Sequence, residues 1–178
     1  MAAASLKQKL FGFHGRLRRQ DWWVLGFAVA FFQFAVMVSA QLLVFGPTEP
    51  FLGTVRYAEG GPAASPSWWM ATGIGALCLW PQLALDVKRG HDIGWSAALT
   101  TGLCLVGFLA SLAPSDFGAV LGGQIDAGRI EISVPPALFA AGMVVNLVLI
   151  VALGFVDGPQ DANRYGPSPK SHSADASK

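Results

Sequence analysis

Long apolar runs, broken at short intervals by compact groups of charge, set the pattern of this chain. Four stretches contain no Asp, Glu, Lys or Arg: Trp22 to Phe45, Ser67 to Leu85, Ile93 to Ala113 and Val134 to Val156. Each is close to the about 20 helical residues that cross a hydrocarbon core. Lipid offers no partner to a backbone amide, so runs of this length and polarity are expected to be helical. The pattern predicts an all-α membrane protein with four transmembrane helices in an antiparallel bundle, at about 22–45, 67–87, 93–113 and 134–156.

Composition strengthens the reading. The chain is 53% hydrophobic and 13% charged, with six Trp and twelve Phe; soluble domains average about 25% charged residues. The mean hydropathy is +0.48. The first run is about twice the length of a secretory signal core and no small-x-small site follows it, so it is expected to remain as a helix. Cys78 and Cys104 both fall inside predicted spans without metal-type spacing and are expected as small buried side chains.

A net charge of +1 conceals a strong segregation. Lys7, Lys9, Arg16, Arg18 and Arg19 precede the first run, Lys88 and Arg89 lie between the second and third, and Arg164, Lys170 and Lys178 follow the last. The two remaining connections hold only Arg56 and Arg129, among acids such as Glu49, Glu59, Asp116, Asp126 and Glu131. The positive-inside rule therefore places both termini and the central linker in the cytoplasm. Residues 1–21 are expected as a cytoplasmic interfacial segment, 22–156 as the transmembrane domain, and 157–178 as a cytoplasmic tail, disordered after about residue 169. Ser5 is positioned to cap a short interfacial helix with Leu6, Leu10 and Phe11 towards lipid. The outer loops, with "EGGPAASPS" and "VLGGQIDAG", are expected as turns or short ordered segments.

This topology brings three polar groups to one membrane face: "FHGRLRRQDWW" from Phe13, "LDVKRGHD" from Leu85 and "DGPQDANRYGPSP" from Asp157. Arg16, Arg19, Asp86, Arg89, His91, Asp92, Asn163 and Tyr165 form the candidate cluster. Three ordered signatures within them, Gly15-Arg16 with Arg19 and Trp23, "KRGHDIGWS" at 88–96, and Asn163-Arg164-Tyr165-Gly166 with Pro169, resemble the bacterial inner-membrane proteins of the domain of unknown function 805 family. The resemblance runs from about Phe11 to Pro169. Lys88 stands where the family usually has the first arginine of the middle signature, and Ala97 where it has glycine. Membership implies four helices and supplies no biochemical activity.

The cluster admits several chemistries. Asp92 can cap the third helix by accepting from the amides of Gly94 or Trp95, while Arg89 and His91 bond nearby carbonyls and carboxylates. Arg16, Arg19 or Arg89 can pair with Asp21, Asp86 or Asp92, because an unpaired charge where hydrocarbon begins is costly. A lipid phosphate can replace one such carboxylate. A sharper reading makes His91 and Asp92 proton-transfer groups, or joins His14, His91 and Asp92 as a zinc site. No phosphate-cradling loop, nucleophile elbow or Cys-His metal pattern occurs, so no catalytic, cofactor or metal residue is assigned. Nor does a basic domain for nucleic acid.

The expected function is thus that of an integral inner-membrane protein, more a non-enzyme than an enzyme. Its polar cluster would organise the bundle and dock an anionic lipid or a partner membrane protein, a second copy included. The alternative is a small membrane enzyme acting on a lipid-derived substrate through His91 and Asp92. A channel or carrier fits least, since the apolar runs hold Gln33, Gln41 and Asn146 but no central ionisable group.

Overall fold

The computed structural model describes residues 5–46, 55–58, 61–64, 66–111, 124–126, 129–131 and 137–169. Among the described residues five helices make the frame: α1 Leu6–Phe11, α2 Arg19–Val44, α3 Pro66–Asp92, α4 Ala97–Ser111 and α5 Ala137–Phe155. Two hairpins are added to them in the connections expected as turns or short ordered segments. In one, β1 Val55–Ala58 pairs with β2 Gly61–Ala64; in the other, β3 Gln124–Asp126 pairs with β4 Arg129–Glu131, with Ile125 opposite Ile130. Residues 170–178, expected as a disordered tail, lie outside the described residues.

Local chemistry explains the helix ends. Ser5 and Gln8 form a reciprocal capping box on α1, which satisfies two of its orphan amides. Pro66 opens α3, where a missing N–H costs nothing. The end of α3 corrects the sequence expectation: the helix does not stop near residue 87 but continues through Lys88, Arg89 and His91 to Asp92. It stops because Gly94 takes φ +89°. The amide of Gly94 then donates to His91 O at 3.2 Å and that of Trp95 to Gly90 O at 2.8 Å, the paired bonds of a Schellman stop. The charges of the expected linker are therefore the last turns of a helix. The next helix starts later than expected, at Ala97, where Ser96 Oγ accepts from the amide of Leu99 at 3.2 Å.

Packing concentrates at one end. Leu17, Trp22, Leu85, Cys104, Leu149 and Leu153 form the buried core, which joins the start of α2 to the finish of α3 and α5. Farther along, Gln33 of α2 approaches Gly75 of α3. Close approach uses small residues: a methyl added at Gly142 would stand 2.2 Å from Ala110 Cβ, and one at Gly107 2.7 Å from Asn146 Oδ1, so α4 and α5 touch almost backbone to backbone. Away from this core many apolar side chains are bare. Phe31 is 74% exposed, Leu77 78% and Leu43 86%. Arg19–Val44 and Trp69–Asp92 are long and apolar enough to cross a membrane; Ala97–Ala110 and Ala140–Phe155 are apolar but shorter.

Candidate functional site

Arg16 leaves the stretch before α2, and Arg89 and Asp92 leave α3 one turn apart, three positions that place the latter two on one face. All three side chains meet. Arg16 Nε and Nη2 both lie 2.9 Å from Asp92 Oδ1, while Arg89 Nη1 donates to Asp92 Oδ2. The side chains of Arg16, Asp92 and Arg89 are 1%, 2% and 0% exposed. One carboxylate thus divides its two oxygens between two guanidiniums inside the protein.

That ratio leaves one positive charge in excess, and the surrounding carbonyls answer it. Arg89 Nε donates to Leu153 O at 2.7 Å and Arg89 Nη2 to Val156 O. Trp23 Nε1 donates to Gly154 O at 3.1 Å and Arg19 Nη1 to Phe155 O at 3.3 Å. Four consecutive carbonyls at the end of α5 therefore receive side-chain donors from α2 and α3. A helix C-terminus has four such orphan acceptors and carries about half a negative charge, so it is matched both in hydrogen bonding and in sign.

The segment after α5 closes the network from below. Arg16 Nη2 donates to Pro159 O at 2.7 Å, and Arg16 Nη1 to Asp161 O at 2.8 Å and Gly166 O at 3.3 Å. Gly158 passes so close that a Cβ there would sit 2.3 Å from Asp92 Oδ2. Asn163 and Gly166 exchange both backbone bonds, at 3.1 and 2.9 Å, and Asn163 Oδ1 accepts from the Tyr165 amide at 2.9 Å. This tight turn presents Asn163 Nδ2 to His91 O at 2.9 Å and stacks Tyr165 on the His91 ring, centroids 3.8 Å apart and 9° from parallel. On its other edge the ring puts Nδ1 3.1 Å from Gly15 O, so that nitrogen carries the proton. Arg18 Nε reaches Pro169 O at 2.6 Å. Among the described residues, no buried side-chain nitrogen or oxygen lacks a partner.

Of the eight candidate residues, Arg16, Arg89, His91, Asp92, Asn163 and Tyr165 come together directly. Arg19 sits at the rim, with its guanidinium 3.6 Å from Asp157 and both side chains about half exposed. Asp86 belongs to a neighbouring group: its carboxylate accepts from Trp22 Nε1 at 2.7 Å, Gln82 Nε2 at 3.1 Å and Cys104 Sγ at 3.5 Å. Asp21 instead pairs with Lys9 at 2.8 Å. The expected cap of the third helix by Asp92 is corrected: Asp92 is the last residue of the preceding helix, its oxygens face arginines, and Ser96 caps α4. His14 is exposed and Asp92 is engaged by the two guanidiniums; no group of three His, Cys, Asp or Glu among the described residues converges as a metal site.

Sequence reading missed Trp22, Trp23, Lys88 and Gly158. A buried indole N–H generally needs an acceptor; here the acceptors are Asp86 and Gly154 O. Lys88 Nζ donates to the carbonyls of Gln8 and Lys9 and so closes the end of α1. Nothing in the sequence singles out Gly158 beyond its position just after an apolar run.

Five helices among the described residues, two of them long and apolar, closed at one end by a buried Arg–Asp–Arg network, define the class. Residues 10–167 match the family model described as "Protein of unknown function (DUF805)", and the chain belongs to that family. No curated protein and no solved structure matches it.

Proposed function

We propose that this chain is an integral protein of the bacterial inner membrane in which α2 to α5 cross the bilayer as an antiparallel bundle, both termini in the cytoplasm. In this reading α1 lies in the cytoplasmic interface and the Arg16–Asp92–Arg89 network locks the cytoplasmic ends of the helices. The best support for a lipid surround is α2 itself: the most hydropathic stretch of that helix is only 6% buried, whereas a soluble protein's core helix would be covered. The charge segregation supports the orientation.

The observation that carries the functional reading is that the network is closed. Arg16 and Arg89 direct their donors to Asp92 and to carbonyls of their own chain, so the network's task is to hold helix ends and the 157–169 segment in one arrangement. Docking of an anionic lipid or a partner membrane protein, a second copy included, then falls to the exposed rim of Lys7, His14, Arg19 and Arg164. An enzyme using His91 and Asp92 for proton transfer draws no support from this geometry: the imidazole faces Gly15 O and Tyr165 while the carboxylate faces two arginines. A carrier likewise gains no observation in its favour.

Labelling of single cysteines in a C78A/C104A background tests the membrane reading. Lys7→Cys and Asp161→Cys should react only from the cytoplasmic side, and Ala58→Cys and Gln124→Cys only from the opposite side. Reaction of all four from one side would sink it. For the docking half, affinity capture from membranes with Arg19→Ala/Arg164→Ala should lose a partner that the parent retains; identical recovery refutes a rim dock.

A further inference from the structure

A groove of about 380 Å³ opens between α1 and the first turns of α2, lined by Leu6, Lys9, Gln20, Asp21, Val24 and Leu25. Sites for small ligands run from about 300 to 1,000 Å³. The groove holds one cation and one anion, Lys9 and Asp21, in contact at 2.8 Å with side chains 33% and 38% exposed. An ammonium carries three N–H and a carboxylate about four acceptor positions, and this contact uses one of each. Gln20 adds a neutral amide. The lip is apolar: Leu6 and Val24 are exposed, and Val24, Phe27 and Phe31, all exposed, recur at a spacing that puts them on one side of α2.

We propose that this groove seats the headgroup of a phospholipid bearing a primary ammonium beside its phosphate, phosphatidylethanolamine. Lys9 and the Gln20 amide take the phosphate, Asp21 takes the ammonium through its second oxygen, and an acyl chain follows Val24, Phe27 and Phe31. Complementarity of charge selects the class. A headgroup with net negative charge would meet Asp21 as a repulsive neighbour, and a trimethylated ammonium has no N–H for the carboxylate to accept. The inference rests on the membrane reading above but not on the closed arginine network.

The test uses the full chain in mixed micelles with equal amounts of phosphatidylethanolamine, phosphatidylcholine and phosphatidylglycerol of identical acyl chains, read by native mass spectrometry. The parent should retain phosphatidylethanolamine about tenfold over phosphatidylcholine, the factor that one charge-assisted hydrogen bond supplies. Asp21→Asn should bring that ratio to about one. Lys9→Gln should lower retention of all three lipids together. Val24→Trp, a change at an exposed position that fills the groove without altering charge, should abolish the preference while leaving the melting temperature intact. Equal retention of the three lipids by the parent, or a preference unchanged in both Asp21→Asn and Val24→Trp, overturns the proposal. Carbonate extraction of the same protein from vesicles separates the two failures: protein that stays in the membrane without headgroup preference overturns this site alone, whereas protein that is extracted overturns the membrane reading with it.

Discussion

Replacing Asp92 by Asn leaves shape nearly unchanged and removes one negative charge from between Arg16 and Arg89. Both guanidiniums are essentially inaccessible to water, so neither can recover hydration without opening the network. The α5 carbonyls and the 157–166 carbonyls still solvate them, yet two like charges now face a neutral amide. Removing one partner of a buried ion pair costs about 3–5 kcal/mol. For a chain of this size 1 kcal/mol moves the midpoint by about 2–4 °C, so Asp92→Asn should lower the melting temperature in detergent by about 6–20 °C. Arg16→Gln should cost a similar amount, because it strips donors from Asp92, Pro159, Asp161 and Gly166 at once. The double variant decides the issue. It removes one charge of each sign and leaves Arg89 with its own α5 carbonyls, so its loss should fall short of the sum of the two single losses by about 1–3 kcal/mol. Additive losses would show that Arg16 and Asp92 do not act as one unit and would refute the lock.

Other substitutions probe separate parts of the same arrangement. Gly158→Ala forces a methyl against Asp92 and should cost about 1–3 kcal/mol, whereas Gly26→Ala, with nothing within 4 Å of the added carbon, should leave the melting temperature unchanged or raise it slightly. Trp22→Phe deletes the shortest donor to Asp86 and should destabilise by about 1–3 kcal/mol; a restoration by Asp86→Leu in the same background would confirm that the unsatisfied carboxylate is the cause, and a further loss would deny it. Arg19→Ala breaks an exposed ion pair and should shift stability by less than about 1 kcal/mol. Asn163→Ala removes the bond to His91 O and the turn that presents Tyr165, so limited proteolysis should cleave between residues 157 and 169 faster than in the parent. An unchanged rate would mean that this turn does not hold the segment.

The helices were legible because a run without charge is a direct statement about solvent. The partners inside the cluster were not, and the reason is geometric. Arg16, Arg89 and Asp92 could be brought to one face by topology alone, but pairing depends on how far α3 continues and hence on its rotational phase. Polarity suggested a stop near residue 87, while backbone chemistry sets it at Gly94. The signal was present: a glycine after a last turn rich in Lys, Arg and His is a common helix terminator. With α3 extended to that point, Leu85, Arg89 and Asp92 recur at i, i+4 and i+7 on one buried stripe, and Asp92 can no longer be the cap of the following helix. The division of labour between Asp86 and Asp92 was illegible in a stronger sense. Both are acids near the same helix end, and only the three-dimensional position of Trp22 and Cys104 decides which one is served by neutral donors.

Distance along the chain gives the Arg16 contacts a consequence in time. Its carboxylate partner lies 76 residues downstream, and two of its carbonyl acceptors 145 and 150 residues downstream. At about 5–20 residues per second of synthesis, Asp92 follows Arg16 by about 4–15 s and the last acceptor by about 8–30 s. The full set of Arg16 contacts can form only once the chain as far as Gly166 has been made. A chain cut short before residue 157 would carry its arginine and aspartate without the segment that shields them.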